Sequence, residues 1–310
     1  MKIKLKVLTS AVSLIFSGLV SAQVVGAPAG TLPFVIPPNS AIPTQVLLDW
    51  YYRYGIVPVD PGPLYSIHSN AIRAYQWMSP DVGMAWAQGY KGQGSTVTVL
   101  DFGKAQTFTL SGNIGPGQKT QTHGEWVSDF TGAIAPMAEV RFQDITVHGG
   151  DRIQLAAKGL NVVNSSLGDI QRVQDYQPTS GSAAMNSAIE YAKKGSAVVV
   201  QAAGNFSVDA LNGDGKFADQ LNRQLLEGTK SAIFVGALNK NGSTDAKASM
   251  ASYSNLAGSN ALMQARFLTV GVDKKYISGI QGTSFAAPIV AGYAAIIGSK
   301  FKDATPEAVT

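Results

Sequence analysis

No cysteine occurs in the 310 residues, so disulfides and thiolate chemistry are excluded and stability must come from core burial, with bound ions as the other resource. Charge is sparse, at 14% of residues, with 24 basic side chains against 20 acidic ones. Three of the basic residues, Lys2, Lys4 and Lys6, stand at the extreme N-terminus; without them the balance is 21 against 20, and the net charge falls from +4 to +1. No long basic run remains, which argues against nucleic acid as a partner. The apolar run Val7 to Val20 is shorter than the ~20 residues that span a bilayer. A G-x-S-x-G nucleophile elbow is missing, and so is a short-period internal repeat.

What is present points to a globular protein: 45% hydrophobic residues and 33 glycines in a chain long enough to bury a large core. Residues 1–22 combine a lysine-rich start, the apolar Val7 to Val20 and the small residues Ser21 and Ala22, the pattern of a secretory signal. The product is therefore expected in the periplasm, at the cell surface or outside the cell. Residues 23–78 hold eight of the 14 prolines among aromatics such as Trp50, Tyr51, Tyr52 and Tyr54. They read as an extended arm, either a short pro-segment or a strap over the main domain. At the other end, Thr305-Pro306-Glu307-Ala308 starts a helix just before the last residue, so a longer natural product is expected, with a C-terminal cell-surface anchor as one form of it.

From residue 79 to 310, apolar strand-like runs alternate with helical patterns. Strands are predicted at Thr96 to Asp101, Val140 to Ile145, Asn161 to Leu167, Ala197 to Ala202 and Ile233 to Ala237. Helices are predicted at His123 to Ile134, Arg152 to Lys158, Ala183 to Lys194 and Phe285 to Lys300. The alternation implies an α/β fold, a doubly wound, mostly parallel sheet with helices on both faces. Such sheets place their sites at the carboxyl ends of strands, where Asp101 falls.

Four short elements carry chemistry: VTVLDFG with Asp101, THGEWV with His123, AAGN with Asn205 and GTSFAAP with Ser284. A serine hydroxyl is a weak nucleophile that needs a base, and the base needs a third group to fix its tautomer; Ser284, His123 and Asp101 supply these parts. Pro288 has no N–H for the Ser284 carbonyl, so regular helix cannot extend upstream, and Ser284 must sit at the helix start, where unpaired N–H groups favour an anion. Asn205 is the second candidate donor to an oxyanion.

In this order the four elements resemble the subtilases, the subtilisin-like serine proteases. The likeness runs from about Met84 to Gly298, through SSLG (Ser165 to Gly168) and SNLAG (Ser254 to Gly258). It implies a subtilisin-like fold, endopeptidase activity on protein or peptide substrates, and no cofactor in catalysis, with structural calcium common in the family. It also implies substrate-binding roles for Ser166, Leu167 and Gly168 on one wall of the specificity pocket and for Ala203 and Gly204 on the other. Three departures stand out: Glu125 and Trp126 where a threonine and a second histidine are usual, Phe102 after the aspartate, and a short Asp101 to His123 interval. Glu125, if close, would raise the basicity of His123.

Other readings attach to single features. The departures fit a catalytically silent binding protein on the same scaffold. His148 lies in HGGD, which is similar to the oxyanion loop of lipases and would suit an esterase, but that chemistry needs the missing elbow. His68 lies in the arm and reads as a packing or solvated residue. Asp209, Asn212, Asp214 and Asp219 gather oxygen ligands, without the spacing of an EF-hand.

Overall fold

The computed structural model describes residues 56–59, 72–75, 77–103, 107–112, 120–146, 150–176, 182–242, 246–274 and 277–310. The expected signal, His68 and His148 lie outside the described residues, as does most of the arm. Within the arm, Ile56–Val59 and Ile72–Tyr75 pair as a parallel two-stranded ladder.

Six strands build the main sheet: β1 (Thr96–Asp101), β2 (Glu139–Asp144), β3 (Asn161–Ser165), β4 (Val198–Ala202), β5 (Ala232–Leu238) and β6 (Phe267–Gly271). Their order is β6-β5-β4-β3-β1-β2 and every neighbouring pair is parallel. β1 is the turning point: the chain continues outward to β2 on one side and through β3 to β6 on the other. The crevice at the carboxyl ends of β1 and β3 is where such a sheet opens to a ligand.

Period-2 alternation sends side chains to two cores. Val97, Val162, Val198, Val200, Ile233 and Val235 meet the helices α1 (Pro80–Ala87), α2 (His123–Ile134) and α5 (Thr283–Lys300) on one face. Leu100, Val163, Val199 and Phe234 meet α3 (Ala183–Lys194) and α4 (Gln220–Leu226) on the other. This is the doubly wound arrangement that the sequence pattern predicts. α5 is apolar on nearly all sides because it runs through the interior. Its close approach to α2 depends on Gly292, where a Cβ would stand 2.5 Å from Ile134 Cγ2.

Arg152 to Lys158 is not a helix, contrary to the pattern; it is irregular chain. Its backbone groups are taken by side chains instead. Ser187 Oγ accepts from the Ile153 N–H at 3.1 Å, Tyr191 Oη donates to the Ile153 carbonyl at 2.7 Å, and Asn161 bonds both polar groups of Ala156. β6 is an edge strand that the pattern did not single out. It follows directly on the helix Ala261–Arg266 with no intervening breaker.

Candidate active site

Asp101 ends β1 and is fully buried. One carboxylate oxygen accepts the Phe102 N–H at 2.8 Å, and the other lies 2.7 Å from His123 Nδ1. His123 is the first residue of α2, whose start is fixed by a capping box. Thr122 Oγ1 accepts from the Glu125 N–H, and the Glu125 carboxylate accepts the Thr122 N–H at 2.7 Å. The imidazole packs against the Phe285 ring, with 5.8 Å between centroids. Gly124 lets helix and strand close on one another, since a Cβ there would be 2.8 Å from Asp101 Cβ and 2.4 Å from Phe142 Cε2.

Ser284 is the second residue of α5, at the helix start required by Pro288. The carbonyl that Pro288 leaves without a helical donor receives Ser166 Oγ at 2.9 Å. In turn Ser284 Oγ donates to the Ser166 carbonyl at 3.3 Å, and Asn164 Nδ2 holds Ser166 Oγ at 3.0 Å. The end of β3 therefore grips the serine from both sides.

Asn205 stands on the loop after β4, with its side-chain oxygen accepting from the Thr283 N–H at 2.7 Å and from Thr283 Oγ1 at 3.0 Å. That fixes which end of the amide points onward. Gly282, at φ +127°, caps α5; a Cβ on it would lie 3.5 Å from Asn205 Nδ2 and 3.7 Å from the Ser284 nitrogen.

A cavity of about 210 Å³ opens next to Ser284. Ser166, Leu167, Gly168 and Gly204 line it, together with Ala202, Ile170, Phe206 and Asp219. Ala203 instead faces the core, and its carbonyl is held by Asn222 Nδ2 at 3.2 Å and Asn255 Nδ2 at 2.9 Å. Asn255 is the positioning residue that sequence reasoning missed. Its Oδ1 accepts from the N–H groups of Phe206 and Val208, and its amide packs where a Cβ on Gly204 would fall, so it shapes the whole Asn205 loop. Its place in the SNLAG element was the available signal.

The departures from the family pattern find structural places. Glu125 caps α2 through Thr122, and Trp126 is buried in the core with Phe130. Phe102 is exposed at the strand end. Asp209, Asp214 and Asp219 each accept backbone N–H groups within two or three residues, and Asn212 Nδ2 donates to Asp209. Among the described residues no group of three or more His, Cys, Asp or Glu side chains is placed to hold a metal ion.

The site thus holds a buried carboxylate against an imidazole, and a serine at a helix start. The subtilase family model matches residues 143–310, more than half of the chain and inclusive of Ser166, Asn205 and Ser284. The chain belongs to the subtilase family, whose members are serine proteases. Among solved structures it is similar to a cold adapted subtilisin-like serine proteinase, at 21% identity over 71% of this chain and 81% of that one, with a TM-score of 0.41. A protease from Pseudoalteromonas arctica is 20% identical over 73% of this chain and 83% of the other, with a TM-score of 0.43. A serine protease of Aeromonas sobria is 18% identical over 73% and 51%, with a TM-score of 0.45. No curated protein matches in sequence.

Proposed function

We propose that this chain is an exported serine endopeptidase that cleaves protein or peptide substrates through Asp101, His123 and Ser284. The observation that carries the reading is the 2.7 Å contact between the buried Asp101 carboxylate and His123 Nδ1, with the imidazole packed on Phe285, the residue after Ser284. With Nδ1 engaged, Nε2 is the nitrogen that serves as base.

Ser284 Oγ attacks the scissile carbonyl as His123 Nε2 takes its proton. The Asn205 amide and the Ser284 N–H receive the oxyanion. His123 then returns the proton to the departing amine, leaving an acyl ester on Ser284. Water, deprotonated by the same imidazole, attacks that ester and releases the acid, with the proton passing back to Ser284. Each step moves protons and electron pairs among side chains, substrate and water, so the chemistry calls for no cofactor.

Export rests on the signal-like residues 1–22. Among the described residues no helix is long and apolar enough to cross a membrane. The test is hydrolysis of internally quenched peptides by the purified protein. Turnover that disappears in Ser284→Ala and in His123→Ala is expected; peptide binding without cleavage by the wild type would instead support the silent binding protein.

A further inference from the structure

The specificity cavity contains a carboxylate that the catalytic steps do not use. Asp219 ends the short strand Phe217–Asp219 and caps α4. Its side chain is 3% exposed. Oδ1 is saturated, accepting N–H groups from Asp169, Leu221 and Asn222 at 3.2, 3.0 and 3.3 Å. Oδ2 is buried and has no hydrogen-bond partner among the described residues. It faces Gly168, where an added Cβ would stand 2.8 Å away, and Gly168 and Asp219 both line the cavity beside Ser284. A side chain at Gly168 would collide with this oxygen.

A helix cap alone does not need this arrangement. A serine or asparagine would serve as well without burying a charge, and an unpaired buried carboxylate oxygen is costly. Burial pushes the Asp219 carboxyl up to about 6, and the nearby Asp169 carboxylate pushes the same way. The groups acting on it are backbone donors and a like charge, so a cation entering the cavity would be the missing partner. The lining suits a long aliphatic stem, since it includes Leu167, Ile170, Ala202 and Phe206.

We propose that Asp219 makes this cavity select lysine or arginine on the acyl side of the scissile bond, a reading that rests on the serine endopeptidase function above. The substrate ammonium or guanidinium pairs with Oδ2 past Gly168, while its stem lies along the apolar walls.

The experiment uses the full chain and peptide aminomethylcoumarin substrates that differ only in that residue: Lys, Arg, Gln, Leu, Phe and Glu. The wild type should favour Lys or Arg over the uncharged Gln and Leu by on the order of 100-fold in kcat/KM, the scale of a buried charge pair. In Asp219→Asn, which keeps the Oδ1 acceptor, the Lys to Leu ratio should collapse towards unity. A structural role alone would lower all six substrates together and keep the ratio. Wild-type protein that reacts with a fluorophosphonate at Ser284 yet cleaves after Leu or Phe as well as after Lys overturns this proposal and leaves the protease reading standing. Protein that neither reacts nor cleaves overturns both. Should Asp219→Asn fail to fold, the wild-type series decides alone.

Discussion

Asp101 Oδ2 lies 2.7 Å from His123 Nδ1, with the carboxylate side chain wholly buried and the imidazole 25% exposed. A carboxylate in that position accepts a hydrogen bond from Nδ1–H and so fixes the tautomer that the proposed mechanism needs. Asp101→Asn keeps the shape but offers an amide that stabilises the wrong tautomer. Turnover should fall about 10⁴-fold while the thermal unfolding temperature changes little, as steady-state kinetics and calorimetry on the same preparation will report.

Asn205 is oriented by Thr283, which takes up the amide oxygen and leaves the NH₂ as its donor end. Removing the amide with Asn205→Ala should lower kcat ~100- to 1,000-fold with KM little changed, a magnitude taken from the oxyanion asparagine of subtilisin, itself a member of this family. A rise in KM at constant kcat would place Asn205 in ground-state binding instead.

Ser166 supports Ser284 by donating to the carbonyl left over by Pro288. Ser166→Ala strands that acceptor and Asn164 Nδ2 as well, at a cost of roughly 1–3 kcal/mol. A drop in unfolding temperature together with slower acylation is the expected outcome. Loss of stability with unchanged acylation would show that this bond holds the helix but not the nucleophile.

The helices that carry the site were legible in the sequence because their ends are written locally. Thr122 and Glu125 form the box that starts His123–Ile134, and Ser182 and the left-handed Gly195 bracket Ala183–Lys194. Pro288 alone put Ser284 at the start of α5. What could not be read depends on distant partners. Arg152 to Lys158 has helical spacing, yet Ser187, Tyr191 and Asn161 capture its backbone. Asp219 looked like one of several loop carboxylates. Its meaning arises only when Gly168, 51 positions earlier, is folded against it.

Asp219 also predicts a pH dependence. Its folded pKa, about 6, is raised above the ordinary carboxylate value of 3.8 by burial. Between those values the folded state holds a proton that the unfolded state has lost. The stabilisation is therefore complete below the unfolded pKa and disappears as pH rises through about 6, an effect on the order of 2–3 kcal/mol. Asp219→Asn should match the wild type in unfolding temperature near ~pH 4 and exceed it near ~pH 8. In the wild type, the Lys to Leu ratio of kcat/KM should climb as Asp219 ionises through about 6. A flat ratio would separate Asp219 from recognition.

The most direct measurement of the central claim is covalent labelling of the purified full chain with a fluorophosphonate, followed by mass spectrometry of the modified peptide. The account predicts one phosphonylated residue, Ser284, with labelling lost in Ser284→Ala and in His123→Ala. Folded wild-type protein that stays unlabelled, or labelling that persists in His123→Ala, would contradict it.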